Sequence, residues 1–411
     1  MSKLLESVFD EIELWLARRA GRQMVTRGSS AGRKIITNGD GPFQAQSSRM
    51  GQNQKESLAH QDAFKTSALL LKVIAFAILT VWSSSATYGQ QLRDTFRNVQ
   101  QAVVIVRTEQ KGLAPFPQQG FVSLNGLGSG VLISNDGKVL TAAHLVQSAD
   151  KTVVEFSDGE AVSARVIGCA FSADVALLQL EPNRVSYVAA RLGDSDVADV
   201  GDEIFVVGAP YGISRTLTAG HVSGRRIVST GTEKSLPVEF LQTDAAINTG
   251  NSGSPMFNMK GEIIGIVSNI MSRSGGSEGL AFASTSNTAR RLLLDHRSFW
   301  TGIEGILIDG SLAGALNVTQ SAGLLVQRVA EGSIAWTAGI RGGSLRANVE
   351  GTEIVLGGDI ILGINGKPVR TDQSYDQIYE SIIGSGPQQP VEITIFRQGQ
   401  LMKLSIQQPS D

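Results

Sequence analysis

Short apolar runs separated by polar turns dominate the chain from Leu92 onward. The runs are rich in β-branched residues and are bounded by Gly, Asp and Asn, a pattern typical of strands in an all-β protein. A first group predicts one barrel: Val103–Arg107, Gly130–Ile133, Lys138–Thr141, Thr152–Phe156, Ala161–Gly168 and Val175–Gln179. A second group predicts another: Ile204–Gly208, Arg215–Ser223, Phe240–Thr243, Glu262–Ser268 and Gly279–Ala283. We therefore expect two β-barrels in succession, with a cleft between them.

The last third of the chain predicts a smaller domain that mixes helices and strands. It follows a helical connector, Thr288–Asp295. Its predicted strands are Gly323–Val329, Gly357–Ile364 and Val391–Phe396, and its predicted helices are Ile334–Gly339 and Tyr375–Ile383. The run Gly342–Gly357 is interpreted as an inserted surface loop, to which we assign no function.

The N-terminal part has a different composition. Residues 1–66 are polar apart from one amphipathic stretch, Leu4–Ala20, and their composition predicts disorder. Residues 67–90 contain the apolar segment Ala68–Trp82, whose uninterrupted core, Val73–Trp82, is ten residues long. A spanning helix needs about 20 residues, so the segment predicts a signal peptide. Uncleaved, it would be a membrane anchor, and a buried soluble helix is the third interpretation.

Charge decides the expected orientation of that segment. Residues 1–82 hold eleven Lys and Arg against seven Asp and Glu. A basic flank favours an N-terminus that stays in the cytoplasm while the following chain is exported. We therefore expect a periplasmic or exported body, anchored to the inner membrane if the segment persists.

Composition narrows the classes of function. The 411 residues suffice for two or three domains, and 42% of them are hydrophobic, as in ordinary globular proteins. The formal net charge of −2 argues against a nucleic-acid-binding surface. Cys169 is the one cysteine of the sequence, which excludes a disulfide within the chain, and its small apolar neighbours favour a core residue over a catalytic one.

A tight turn at Gly250–Gly253 presents the hydroxyl of Ser252 after an apolar strand-like entry. Flexible glycines allow the amides of Gly250 and Ser252 to converge on an oxygen bonded to the carbon that Ser252 would attack. The alternative is an ordinary turn between two strands.

A serine nucleophile needs a base and a group that orients the base. Of four histidines, His144 follows a predicted hairpin and small alanines that leave room for an imidazole. Asp174 heads a buried apolar run, where its carboxylate needs a hydrogen-bond partner. The alternatives are a core histidine and an Asp that caps a turn. The chain order His144, Asp174, Ser252 is that of chymotrypsin-like proteases.

Four segments resemble signatures of the HtrA/DegP family of serine proteases: GSGVLISNDGKVLTAAHLV, ADVALLQL, LQTDAAINTGNSGSP and GLAFASTSN. The resemblance implies an all-β-dominated fold, a chymotrypsin-like double β-barrel over residues 91–290, with His144, Asp174 and Ser252 as the catalytic triad. It implies no metal or cofactor. Two residues depart from the family pattern: Ser254 replaces a glycine, and Thr249 replaces a frequent proline or arginine.

GGDIILGINGKPV and EITIFRQGQLMKLSI resemble bacterial PDZ domains, small α+β barrels that bind C-terminal peptides, so residues 296–411 are expected to form one. Its carboxylate-binding loop would be Trp300, Thr301, Gly302 and Ile303, although an interdomain linker is the alternative for these residues.

Substrate preference is inferred by analogy with the chymotrypsin fold. Ala246 stands six residues before Ser252, where an acidic residue would select basic side chains. Together with Ile266 and Ser268 it predicts a small apolar pocket and cleavage after Val, Ile, Ala or similar residues.

We thus expect an ATP-independent serine endopeptidase of extracytoplasmic protein quality control that cleaves misfolded or signal-bearing proteins. Its expected partners are unfolded or misfolded proteins, C-terminal peptides and, by family resemblance, two further copies in a homotrimer. A non-catalytic PDZ scaffold and a holdase chaperone are the alternatives.

Overall fold

The computed structural model describes residues 89–407 except 115–119, 182–185, 214, 229–236, 275, 296–298, 350, 372, 374–376, 379–380 and 383–389. Upstream it describes only residues 67, 69–72 and 74, which are helical. The predicted disordered segment 1–66, and most of the predicted signal peptide or anchor, therefore lie outside the described residues. Within the described part, no helix is both long enough and apolar enough to cross a bilayer. Residues 83–411 form one compact unit.

The first barrel is closed by six antiparallel strands in the order β1-β2-β3-β6-β5-β4. They are β1 (Val103–Leu113), β2 (Phe121–Leu132), β3 (Lys138–Thr141), β4 (Lys151–Glu155), β5 (Ala161–Ala170) and β6 (Val175–Leu180). All six predicted strands are present, but β1 and β2 continue as a ribbon as far as the pair Leu113 and Phe121. The extension is rich in Gly and polar residues, so backbone pairing rather than apolar burial defines it.

The second barrel follows the order β11-β8-β9-β10-β13-β12 and closes through the pairing of β11 with β12, while β7 adds to β12 in parallel. Its strands are β7 (Arg191–Leu192), β8 (Glu203–Gly208), β9 (Thr216–Val228), β10 (Val238–Thr243), β11 (Pro255–Asn258), β12 (Glu262–Ile270) and β13 (Ala281–Thr285). The prediction of two successive barrels is confirmed. It missed β7 and β11, which are too short for a periodic pattern.

Two apolar clusters hold the barrels. The larger includes side chains of both barrels, such as Val106, Leu140, Phe205 and Ile263. Phe205 stacks on Phe257 with ring centroids 5.2 Å apart. Burying one such side chain stabilises the fold by about 1.5–3 kcal/mol. The strand ends that carry the site therefore belong to a well-stabilised core.

Short helices flank the barrels. Helix α1 (residues 89–99) precedes β1, and α2 (Ala143–Val146) follows β3. The predicted connector is α3 (Ser286–Arg290), continued by a wider turn of π-helix over Arg291–Asp295. Thr285 caps α3 by accepting from the Thr288 amide.

The C-terminal part is built on a sheet in the order β14-β15-β18-β20-β21, with β19 paired to β18. The strands are β14 (Ile303–Asp309), β15 (Ala322–Val329), β18 (Ile360–Ile364), β19 (Lys367–Pro368), β20 (Val391–Arg397) and β21 (Gln400–Ile406). Helices α4 (Gly310–Ala315) and α5 (Ile334–Thr337) accompany it. Within the predicted helix Tyr375–Ile383, the described residues 377–378 and 381–382 are helical. Its identity as a PDZ domain stays a prediction.

The predicted surface loop over residues 342–357 is wrong in its main part. Residues 345–356 form a hairpin of β16 (Leu345–Val349) and β17 (Thr352–Leu356), in a register that pairs Leu345 with Leu356. Half of its ten strand residues are exposed and only Ile354 is buried, so no apolar alternation predicted it. Backbone hydrogen bonds across the ladder define this element instead.

Candidate active site

His144 and Asp174 meet at the end of the first barrel. His144 lies in α2, and Asp174 follows the short 3₁₀ turn Phe171–Ala173 with a left-handed backbone, φ 51°. Asp174 accepts from the His144 amide at 2.9 Å and contacts His144 Nδ1 at 2.9 Å. The carboxylate thus fixes both the backbone and the ring of the histidine. With Nδ1 facing Asp174, the Nε2 atom is left as the proton acceptor.

Two opposing influences act on the His144 imidazole. Burial, the larger single influence, lowers its pKa, whereas the hydrogen bond to Asp174 and the carboxylate's charge together raise the pKa above its ordinary value. The side chain is still 43% exposed, so a bound chain can reach it. The pair therefore supplies a base that is oriented, accessible and more basic than a free histidine.

The turn that carries Ser252 is fixed through its carbonyl groups. The Thr249 carbonyl accepts from the Tyr211 amide at 3.0 Å, and the Asn251 carbonyl accepts from the Ser254 amide at 2.9 Å. The Gly250 carbonyl accepts from the Ser129 hydroxyl at 2.8 Å. Gly250 has φ 97° and Gly253 has φ 82°, conformations that favour glycine.

The amides of the turn divide into two sets. Those of Asn251, Gly253 and Ser254 donate to backbone carbonyls at 2.7–3.0 Å. In the described part of the chain, the amides of Gly250 and Ser252 have no backbone acceptor. Since buried amides are almost always paired, two amides of one turn without a backbone acceptor are available to an incoming hydrogen-bond acceptor.

Ser268 connects the two halves of the site. Its hydroxyl donates to Asp174 at 2.6 Å, and its carbonyl accepts from the Ser252 hydroxyl at 3.4 Å. No hydrogen bond joins the Ser252 hydroxyl, which donates to the Ser268 carbonyl, to His144 among the described residues. Such bonds often form only when substrate is bound.

The three residues predicted for the specificity pocket lie in different surroundings. Ala246 is exposed. Ile266 is 0% exposed and belongs to the apolar core, so the structure corrects its expected place on a pocket wall. Ser268 is also buried, and its hydroxyl is directed at Asp174 rather than at a substrate.

Of the four residues predicted to bind a peptide carboxylate, Trp300 and Ile303 bond to Gln147 of the first barrel's segment after α2. The Gln147 side-chain amide donates to the Ile303 carbonyl at 2.9 Å, and the Trp300 indole donates to the Gln147 backbone carbonyl at 2.8 Å. Thr301 and Ile303 are at most 1% exposed, and Gly302 has φ 72°. This segment leads directly into β14, an edge strand among the described strands of its sheet.

Sequence reasoning missed several residues that shape the site. Tyr211 holds the Thr249 carbonyl from a left-handed conformation, φ 53°, and only its place between Pro210 and Gly212 signals an unusual turn. Ser129 lies within a quoted motif but has no local sign of its contact with Gly250, because the two residues belong to different barrels. The departure Ser254 is fully buried, and its hydroxyl has no hydrogen-bond partner in the described part of the chain.

Comparison with known proteins agrees with this geometry. A family model described as a trypsin-like peptidase domain matches residues 128–266. The probable periplasmic serine protease do/HhoA-like of Haemophilus influenzae is 36% identical over 287 residues, which cover 67% of this chain and 57% of that protein. The chain thus spans little more than half the length of this relative.

A second relative matches over more of its length. The periplasmic pH-dependent serine endoprotease DegQ of Escherichia coli is 33% identical over 373 residues, which cover 89% of this chain and 73% of that protein. A solved structure of the HtrA-type protease AlgW with a decapeptide is 26% identical, covers 78% of this chain and 99% of its own, and has a TM-score of 0.43. With its chymotrypsin-like double barrel, the chain belongs to the HtrA/DegP family of serine proteases.

Proposed function

We propose that the chain is a serine endopeptidase in which Ser252 is the nucleophile, His144 the general base and then acid, and Asp174 the orienting carboxylate. The observation that carries this proposal is the 2.9 Å contact of His144 Nδ1 with Asp174, linked through Ser268 to a turn with two unspent amides.

The reaction would run in two acyl-transfer steps. Ser252 Oγ attacks the carbonyl carbon of a peptide bond while its proton passes to His144 Nε2. The negative oxygen of the tetrahedral intermediate is received by the amides of Gly250 and Ser252. His144 then protonates the leaving amine, and water releases the acyl group from Ser252 by the same route.

The first prediction tests this assignment in the full-length chain. We expect Ser252→Ala or His144→Ala to lower kcat on an unfolded protein by about 10⁴–10⁶, with little further loss in the double variant, because the residues act as a unit. Ser163→Ala, which alters an exposed serine on β5, is the matched control and keeps wild-type activity. Additive losses would contradict the assignment.

The same variants separate the alternative functions. A holdase chaperone would keep suppressing aggregation after Ser252→Ala, and a PDZ scaffold would bind peptides while the wild-type chain leaves them intact. If the wild-type chain cleaves the protein and Ser252→Ala does not, neither the holdase nor the scaffold is the main activity.

We further propose that the substrates are unfolded or misfolded proteins, cut after small or aliphatic residues. Large apolar side chains are exposed on segments that adjoin the site: Tyr211 and Ile213 beside the catalytic turn, and Met271 after Ser268. Ala246 adds no charge that would select Lys or Arg. Mapping cleavage sites in a denatured protein tests this, and cleavage mainly after basic residues would refute it.

Location and assembly are proposals of the same kind. The relatives named above are periplasmic proteases, which supports export of this chain to the periplasm. A reporter fused after Asp411 should be exported. A homotrimer rests on family resemblance, and sedimentation of the purified chain measures it.

A further inference from the structure

A buried serine of the first barrel holds the catalytic turn of the second. Ser129 lies on β2 and is 0% exposed. Its hydroxyl donates to the Gly250 carbonyl at 2.8 Å and accepts from the Ala209 amide at 3.0 Å. The single proton of the hydroxyl and one lone pair are therefore both engaged, and the direction of the O–H bond is fixed.

The backbone of the same residue holds the nucleophile. The Ser129 amide donates to the Ser252 carbonyl at 2.8 Å. One residue thus pins the carbonyl groups of Gly250 and Ser252, the two residues whose amides are unspent. Their amide directions depend on the backbone angles of the turn, and glycine at φ 97° has little intrinsic preference to keep them.

The contact to Ala209 extends the restraint to the neighbouring segment. Ala209 precedes Pro210–Gly212, from which the Tyr211 amide holds the Thr249 carbonyl. A trans peptide directs its C=O and N–H groups to opposite sides, so this bond turns the Gly250 amide away from Tyr211. The Ser129 hydroxyl joins this segment to the turn, because it bonds a group on each.

We propose that Ser129 is a positioning residue for the oxyanion hole, whose hydroxyl keeps the Gly250 and Ser252 amides aimed at the reacting carbonyl oxygen. The inference rests on the proposed function, because an oxyanion hole acts only in acyl transfer. Ser129 acts through Gly250 and takes no part in proton transfer. Without its hydroxyl, a buried carbonyl loses its donor, and the turn relieves this by rotating the peptide between residues 250 and 251.

The test uses the full-length chain with Ser129→Ala. We expect kcat to fall by about 10- to 100-fold, less than the roughly 10²–10³ seen when an oxyanion donor itself is removed. We expect KM to stay within about twofold of wild type, because the lost alignment matters in the transition state. The affinity for a peptidyl boronate, which mimics the tetrahedral intermediate, should fall with kcat. The pH midpoint of activity should not move, since His144 and Asp174 are untouched.

Thr141→Val is the matched control. Thr141 is also 0% exposed, and its hydroxyl donates to the Ser129 carbonyl at 2.7 Å without contacting the turn through a hydrogen bond. The substitution removes a buried hydroxyl bonded to the same residue and nearly preserves shape. We expect a similar fall in melting temperature but wild-type kcat. Ser129→Cys keeps a weak S–H donor and should give an intermediate kcat. It replaces Ser129→Ala in the experiment if that variant does not fold.

The outcomes separate the two proposals. The positioning role alone is overturned if the wild-type chain cleaves substrate and Ser129→Ala has the same kcat. It is likewise overturned if the kcat of Ser129→Ala falls no further than that of Thr141→Val. A wild-type chain that neither cleaves nor reacts at Ser252 with a fluorophosphonate overturns the proposed function, and the positioning role with it. If kcat and boronate affinity fall in Ser129→Ala but not in Thr141→Val, the positioning role and the proposed function are both supported.

Discussion

At the scale of single residues, the site depends on how firmly Asp174 is held against His144. Asp174 accepts from the His144 amide, the His144 ring and the Ser268 hydroxyl, so its carboxylate has no freedom to leave the imidazole. Burial of His144 works in the opposite direction and favours the neutral ring. The balance of the two determines when the base is available.

That balance predicts the pH dependence of cleavage. The pKa of His144 is raised, and only the neutral ring accepts a proton, so kcat/KM should rise with pH through a midpoint above about 6.5. In Asp174→Asn the carboxylate's charge is gone while burial still lowers the pKa of His144, so the midpoint should move down. At the same time kcat should fall by about 10⁴, because the imidazole ring loses its orientation. Rates from about pH 5 to pH 9 measure both. A midpoint unchanged in Asp174→Asn would contradict this account.

At the scale of elements, one buried ion pair ties the C-terminal sheet together. Asp359, 1% exposed, accepts from Arg397 Nε at 2.6 Å and Nη2 at 2.7 Å, and from the Arg341 amide at 2.8 Å. The hydrogen bond to Asp359 raises the pKa of Arg397, which stays charged. Arg397 also donates to the Gly339 carbonyl at 2.6 Å, so the pair joins β20 to the chain after α5.

Breaking that pair should be costly. Asp359→Ala leaves a largely buried guanidinium without its partner, and we expect a loss of about 3–5 kcal/mol in the free energy of unfolding of this sheet. Glu392→Ala is the control, because its partner Lys403 is 68% exposed and such surface pairs contribute about 0–1 kcal/mol. Urea denaturation followed by hydrogen exchange in β18 and β20 compares them. Equal losses would show that burial of Asp359 is unimportant.

At the scale of the whole molecule, the C-terminal sheet is joined to the first barrel at several points. Asp150 accepts from the amides of Lys111 in β1 and Glu331 after β15, at 2.7 and 2.8 Å. Gln147, three residues after His144, donates to the Ile303 carbonyl at the start of β14. The segment proposed to bind peptide carboxylates is therefore held by a residue three positions from His144, the proposed general base.

This contact predicts a competition. An added peptide strand would need the outer edge of β14, where Gln147 already occupies the Ile303 carbonyl. Gln147→Ala removes one neutral hydrogen bond, worth about 1 kcal/mol, so a peptide with a free carboxylate and an apolar last residue should bind about fivefold tighter. Calorimetry on the Ser252→Ala background measures this, with an amidated peptide as the negative control.

Gln179→Ala is the matched variant for that experiment. Gln179 donates to the Asp136 carbonyl at 2.7 Å and to the Leu180 carbonyl at 3.4 Å, and both acceptors belong to the first barrel. It should leave peptide affinity unchanged. The competition is refuted if both variants shift affinity equally, or if Gln147→Ala shifts nothing.

The two barrels could be predicted from the sequence, and the candidate triad could be named from it. Alternating apolar runs and Gly, Asp or Asn turns specify strands locally, so each predicted barrel strand lies within about two residues of an observed end or inside a longer strand. His144, Asp174 and Ser252 each belong to a motif with its own local pattern. The sequence analysis missed β7, β11 and the β16–β17 hairpin, which lack such a pattern, and it also placed no strand at β14, β19 or β21.

What those residues contact could be read from the tertiary structure alone. The roles of Ser268 and Ser129 come from contacts between chain segments 94 and 121 residues apart, which no local pattern encodes. The same holds for Ile266, whose face of β12 is turned into the core by barrel closure. Contacts of this kind depend on how the two barrels pack, because hydrogen bonds between distant segments form only after the apolar cores have brought them together.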